Sequence, residues 1–392
     1  MFSILLILTV LPLLALGFTA WNRSLKASHL ITLTAAAGHL AATFYALIGR
    51  PAPLPGDPWF ALDPLGVFFL LIVSHTFMAV VLCSPGFLAR MGDPRYQASR
   101  RLYYPALNLY LLANTLVIVT QHFGLLWVVL ELTTFGLAPL IYFYRSKESL
   151  EAAWKYLFLV SLGLVFLLIG ILFLGLAAKS APGHPNLLVS ELLRHAAQLN
   201  PLWIKASFVF ALVGVSAKIG LAPMHPADID ATSNAPAPVA ALMSGSLRST
   251  AMLVLLRFYQ IVYQTEVRPF AQHLLMAVGA FSLLVAAVYI WRSRNYKRLL
   301  AYSSVEHLGV ITLAVGVGGV ALLGGLLHTL FNSLGKVALF TMAGRVHHTY
   351  QSRQIESVRG LMRRMPWSGF LSGWPSSTLS ARRRSGCSLA NC

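Results

Sequence analysis

Apolar residues in this chain gather into long uninterrupted runs separated by short polar stretches. Eleven runs lie near 1–21, 28–48, 64–86, 102–120, 122–144, 156–178, 203–224, 236–263, 272–291, 299–320 and 322–344. Most are close to the roughly 20 residues that a helix rising 1.5 Å per residue needs to cross a hydrocarbon core of about 30 Å. The pattern predicts an all-α polytopic membrane protein with about eleven transmembrane helices. Met1–Ala20 lacks a basic leading segment and runs on into Arg23 and Lys26, so it reads as the first span rather than a cleavable signal. Between the sixth and seventh runs, residues 186–199 (NLLVSELLRHAAQL) have helical apolar spacing and read as a short interfacial helix.

Composition narrows the class. Of 392 residues 57% are hydrophobic and only 11% are charged, less than half the share of about 25% in soluble domains. That leaves too little polar surface for a water-soluble globule, which excludes a soluble enzyme, a nucleic-acid binder and a disordered chain. The net charge of +18 sits in clusters between the runs. Alternate loops hold thirteen Lys or Arg on one side (Arg23, Lys26, Arg90, Arg95, Arg100, Arg101, Arg145, Lys147, Lys155, Arg292, Arg294, Lys297, Arg298) and five on the other (Arg50, Lys179, Arg194, Lys205, Arg268). The richer side is expected in the cytoplasm, with the N-terminus outside and the tail after Arg345 inside. The bilayer, and no nucleic acid, is the partner this charge implies. Cys83, Cys387 and Cys392 show no paired spacing, so neither a disulfide framework nor a thiolate metal site is indicated.

The informative residues are ionisable groups inside the runs: Glu131, Lys218, Arg248, Glu306, His307, His328 and Lys336. Each charge at a helix centre costs roughly 2.5–3.5 kcal/mol on the lenient insertion scale, so such groups face a bundle interior or water. Glu131 stands in mid-run, where a functional carboxylate is favoured over a merely structural one. Lys218 is followed by Gly220, Pro223, His225 and Pro226, which predicts a broken helix near 218–226; broken helices are tolerated where they line protein or a wet cavity. Arg248 reads equally as a snorkelling residue, a partner of Glu131 or packing glue. The Glu306–His307 pair suits an interfacial hydrogen-bonding role as well as a functional one. His328, Asn332 and Lys336 follow at i, i+4 and i+8, a polar stripe along about 12 Å of one helix face, better read as a hydrated path than as isolated core residues. His29, His39, His75 and His273 read as packing or interfacial groups, and His347-His348 as surface residues. A buried lysine beside a glutamate gains or loses a proton as the two approach or separate, so the chemistry these residues suit is proton transfer. No nucleophile–base pair, phosphate-binding loop or metal cluster stands out; no cofactor and no catalytic residue are expected.

The segments AKIGLAPMHPADIDATSNAPAPVAALMSG, YKRLLAYSSVEHLGVI and LLHTLFNSLGKVALF resemble the antiporter-like membrane subunits of respiratory complex I. SSVEH and ELTTFGLAPLIYFY point to the hydrogenase-4 component F branch, found beside membrane-bound nickel–iron hydrogenases and formate hydrogenlyase. The resemblance covers about 1–371. It implies two inverted five-helix repeats, each with a broken helix and a central lysine, a glutamate–lysine pair at Glu131 and Lys218, and an onward link through His328 and Lys336. The residues themselves add His225, Arg248, Glu306, His307 and Asn332 as auxiliary candidates, Arg248 standing one position off the polar residue that the family often has there. It also implies a non-catalytic, proton-pumping subunit in a prokaryotic inner membrane. Its partners would be other membrane subunits and, through them, peripheral redox subunits with iron–sulfur clusters. A subunit of a multisubunit sodium/proton antiporter shares the fold and is the alternative.

Two stretches depart from the family. After His225 the usual Thr-Trp-Leu-Pro-Asp-Ala-His is replaced by Pro226, Ala227, Asp228, Ile229, Asp230, Ala231 and Thr232. After MPWSGFL, where a span should follow, the chain reads SGWPSSTLSARRRSGCSLANC. The expectation is a transmembrane antiporter-like domain over 1–345 and a basic tail over 346–392, of which 372–392 is frameshifted or disordered. The second repeat would then be incomplete, and a truncated product with at most a structural role is a third reading.

Overall fold

The computed structural model describes residues 2–49 and 59–358, together with Leu361; the expected frameshifted tail at 372–392 lies outside the described residues. Fourteen α-helices run in chain order: α1 (Phe2–Trp21), α2 (Leu25–Gly49), α3 (Pro64–Arg90), α4 (Gln97–Val119), α5 (Phe123–Ile141), α6 (Lys147–Lys179), α7 (Val189–Arg194), α8 (Pro201–Ile219), α9 (Pro226–Asn234), α10 (Ala237–Leu242), α11 (Arg248–Tyr263), α12 (Arg268–Arg292), α13 (Tyr296–Val317) and α14 (Val320–Tyr350). Eleven spans among the described residues are long and apolar enough to cross a membrane, α10 and α11 forming one of them through a π-helical turn at Met243–Leu247. The all-α, eleven-span architecture expected from the pattern is the one found. A five-span unit from α4 to α11 is complete, and the described residues carry three further spans after it.

The span from α10 to α11 is buried along all but its last turn and forms the axis of the bundle, packed by α3, α8 and α14. α6 and α8 approach closely through small residues. A Cβ added at Gly214 would collide with the Leu167 amide and lie 2.8 Å from the Gly163 carbonyl, the kind of contact that replaces hydrophobic drive between helices in lipid. Leu13, Phe18, Phe158, Leu172, Leu284 and Trp291 stand exposed on α1, α6 and α12, an apolar belt fitted to lipid tails.

Loops expected to share an end do meet. At one end the Gln121 amide donates to Trp59 O (2.8 Å) and the Phe123 amide to Leu187 O (3.0 Å). At the basic end the Tyr296 amide donates to Arg353 O (3.1 Å), and Asp230 lies 4.0 Å from Lys155 and 3.6 Å from Arg298. Two boundaries differ from expectation. The interfacial helix in 186–199 is reduced to α7 and a 3₁₀ turn at Ala196–Gln198, because the backbone at Leu187 and Val189 is engaged in pairing with Phe123 and Gln121. α14 runs through Tyr350 instead of yielding to a tail at 346, ending where Gln351 turns left-handed (φ 49°).

Candidate functional site

α8 starts on Pro201, with Asn200 Oδ1 accepting from the Leu202 and Trp203 amides, and ends at Ile219. Gly220 takes φ 87° and the chain stays non-helical until Pro226. Lys218 therefore lies in the last turn of α8, where unpaired carbonyls favour a cation. Its side chain is fully buried, and Nζ donates to Leu130 O (2.7 Å) and Thr134 Oγ1 (2.6 Å) of α5. Glu131 follows Leu130 directly. Its Oε1 accepts from Ser161 Oγ of α6 at 2.5 Å, and its Oε2 is buried without a partner. No ion pair joins Glu131 to Lys218 in this arrangement. Neutral oxygens hold the lysine, and a hydroxyl holds the carboxylate.

The break after Lys218 is braced by a second pair of charges. Arg248, the first residue after the π turn, donates from Nε to Asp228 Oδ2 (3.0 Å) and from Nη2 to the same oxygen, and it also reaches Thr232 Oγ1 (3.1 Å) and Ser244 Oγ (3.3 Å). Both charged groups are buried. Arg248 thus neither snorkels nor pairs with Glu131; its anion is Asp228. A Cβ at Gly220 would lie 2.8 Å from Asp228 Oδ2, so that position requires glycine for space as well as for its positive φ. His225 lies beyond the break, its ring against Tyr289 and Tyr302 (centroids 5.9 and 6.0 Å) and its Nδ1 buried without a partner.

A second lysine centre forms between α13 and α14. Lys336 is buried, and its Nζ donates to Leu300 O (3.1 Å) and to Ser303 Oγ. His307 Nδ1 and His328 Nε2 are 3.1 Å apart. Glu306 Oε2 is buried without a partner, and no ion pair joins Glu306 to Lys336. Asn332, between His328 and Lys336 on the same stripe, is half-buried and makes no side-chain hydrogen bond among the described residues. The two centres are tied through the central span: Ser249 Oγ meets Ser333 Oγ at 2.9 Å, and Gly245 packs on the Ser333 carbonyl.

Several partners escaped the sequence reading. Thr134 and Ser161 are unremarkable hydroxyls until packing selects them, although the polar string Glu131, Thr133, Thr134 inside an apolar run was a signal. Asp228 sits in a polar stretch that reads as loop, yet α9 carries it into the interior. Arg257 is also buried, donating to Ile118 O (2.6 Å), Thr120 O and Asp63 Oδ1 (3.3 Å), and so satisfies the carbonyls at the end of α4. His39 is a satisfied core residue, its ring nitrogens 2.9 Å from Ser74 Oγ and Thr115 Oγ1.

A polytopic bundle with a broken helix, buried Lys and Arg and half-buried Glu at membrane depth is an antiporter-like membrane subunit. The chain belongs to the NADH:quinone oxidoreductase/Mrp antiporter transmembrane family, whose sequence profile matches residues 120–372. It is 32% identical over 321 residues to a hydrogenase-4 component F homolog of Methylacidiphilum infernorum, covering 81% of this chain and 67% of that protein. It is 28% identical over 343 residues to hydrogenase-4 component B of Escherichia coli (84% of this chain), where it spans about half, 49%, of the relative's length. NADH-quinone oxidoreductase subunit N of Chromohalobacter salexigens is 28% identical over 355 residues, 89% of this chain and 71% of that one. Among solved structures, the fold is shared with a chain of the membrane-bound sulfane sulfur reductase, an archaeal respiratory membrane complex (TM-score 0.82, 22% identity, 94% of this chain and 76% of that chain). It is also shared with a chain of respiratory complex I from Thermus thermophilus (TM-score 0.72, 26% identity, the same 94% and 76%).

Proposed function

We propose that this chain is a proton-translocating membrane subunit of a hydrogenase-4 or complex I-like oxidoreductase. In this reading Glu131 and Lys218 are the switch, and His328 and Lys336 are the onward relay. Redox chemistry belongs to partner subunits carrying iron–sulfur clusters, and the chain lies in a prokaryotic inner membrane with its basic end cytoplasmic and its N-terminus outside. The observation that carries the reading is the separation of charges at the break. Lys218 is fully buried and held only by neutral oxygens, while Glu131, one residue from its carbonyl acceptor, keeps an unpartnered oxygen. Swinging Nζ from Leu130 O to that oxygen would form an ion pair and strengthen the lysine's hold on its proton; swinging back weakens it. Arg248, fixed by Asp228, supplies an unmoving positive charge beside the break. A proton leaving Lys218 would meet the hydroxyl-linked central span and then Lys336, Ser303 and the His307–His328 pair.

Replacing Lys218→Met in the assembled complex tests this. The expected result is loss of redox-coupled proton uptake into vesicles with subunit assembly intact; unchanged proton transport would overturn the assignment. Sodium-dependent proton exchange in vesicles lacking any redox partner would instead favour the sodium/proton antiporter alternative.

A further inference from the structure

At the basic end, the ends of α3 and α14, the turn after α5 and the start of α6 surround a cavity of about 1200 Å³. Six cationic side chains line it (Arg90, Arg95, Arg145, Lys297, Arg345, Arg353) against two acidic ones, Asp93 and Glu148. Asp93 is already engaged with Arg95 at 3.2 Å. Lys297 Nζ donates to Ala235 O (2.6 Å), Arg353 Nη1 to Asn234 Oδ1 (3.2 Å) and Arg145 Nε to Ser99 Oγ (3.1 Å), so neutral groups fix three of the cations around the cavity. Arg90 and Arg345 also line it, and their side chains have no hydrogen-bond or ion-pair partner among the described residues. The first turn of α6, capped by Ser146 and Ser149, opens on the same space and adds the positive end of its dipole.

The opposite wall has a different character. Leu82, 61% exposed on a membrane-spanning helix, and Gly86, where an added Cβ would meet nothing, both line the cavity and leave a groove along α3 on its lipid side. Tyr96 and Tyr144 also line the cavity, their ring centroids 6.4 Å apart, aromatic residues of the kind enriched at a membrane interface. A concave site with cations at headgroup level and a groove toward the hydrocarbon matches an amphiphile with an anionic head. Basic pockets between spans at the cytoplasmic side bind such headgroups.

We propose that this cavity binds an anionic glycerophospholipid, its phosphate between Arg90 and Arg345 and one acyl chain along Leu82 and Gly86. The proposal does not depend on proton transfer through the lysine centres. It is tested with the full chain purified in neutral detergent and titrated with phosphatidylglycerol, bound lipid being counted by native mass spectrometry. Phosphatidylglycerol should be retained and phosphatidylcholine should not. The double variant Arg90→Gln/Arg345→Gln should weaken retention on the order of tenfold. The control Arg23→Gln/Lys26→Gln removes two exposed cations from the same end, outside the cavity, and should leave retention unchanged. Equal loss in that control would overturn the proposal by showing only attraction to bulk charge, and equal retention of phosphatidylcholine would do the same. Inorganic phosphate displacing the lipid at equal concentration would overturn the lipid assignment in favour of a soluble anion.

Discussion

Lys218 donates to Leu130 O and Thr134 Oγ1 on α5, and Lys336 donates to Leu300 O and Ser303 Oγ on α13. Each lysine thus uses one carbonyl and one hydroxyl roughly a turn apart on a neighbouring helix. Each also has a glutamate nearby with an unpartnered oxygen, Glu131 for one and Glu306 for the other. The surroundings then diverge. At the first centre Lys218 and Thr134 are fully buried between α5 and α8 and the Arg248–Asp228 pair closes the break, although Glu131 and Ser161 are half-buried, with Phe135 of α5 and Leu162 of α6 exposed. The second is open along one flank: Glu306, His307, His328 and Asn332 are half-buried, and Leu323, Leu327, Phe331 and Leu334 of α14 stand exposed beside them. Half-exposed ionisable groups at membrane depth are costly against lipid tails. The same local device is therefore packed more fully around Lys218 and left more exposed along α14, where water or a further helix would lower the cost. The known relatives are membrane subunits of multisubunit respiratory complexes.

The largest effect should come from breaking the closed centre. Asp228→Ala strands a buried guanidinium and is expected to cost about 3–5 kcal/mol, seen as a lower melting midpoint in detergent. The double variant Asp228→Leu/Arg248→Met should recover most of that loss. Failure to recover would mean that Asp228 does more than neutralise Arg248. Next, Lys336→Met should stop proton uptake as fully as Lys218→Met if the two centres work in series; normal uptake would confine transfer to the first centre. Accessibility separates the two more gently. In a background without native cysteines, His328→Cys should react with a water-soluble thiol reagent faster than Thr134→Cys, and equal rates would remove the distinction between open and closed. Smallest of all, Thr134→Val and Ser303→Ala each delete one lysine acceptor and should cost about 1 kcal/mol of stability. Similar costs at both positions would support the equivalence of the two devices.

Much of this was legible in the chain. Length of apolar run decides membrane spans almost alone, because the backbone in lipid has few ways to satisfy itself. That is why eleven runs became eleven spans. Glu131, Lys218 and Lys336 announced themselves because charge inside an apolar run is expensive. Their partners did not. Thr134, Ser161 and Ser303 acquire a role only from which helix faces which, and no periodicity records that. Asp228 was hidden for the opposite reason: in His225–Asn234 polar residues are common, so the one that turns inward carries no mark. The neutral anchoring of Lys218, in place of a direct ion pair with Glu131, is a matter of side-chain rotamer, which sequence spacing leaves open.

The glycine contact between α6 and α8 sets a tempo. With backbone pressed on backbone at Gly214, Gly163 and Leu167, the helix that carries Lys218 has no room to move closer to α6 along this face. Under the proposed switch, the part that moves relative to α6 would be the four-carbon arm of the lysine, pivoting on that wall. Side-chain rotamer hops run far faster than collective helix motions, which take microseconds to milliseconds. On that proposal the rotamer step of the lysine would be quick, and a slow overall rate would report a collective movement elsewhere in the assembly.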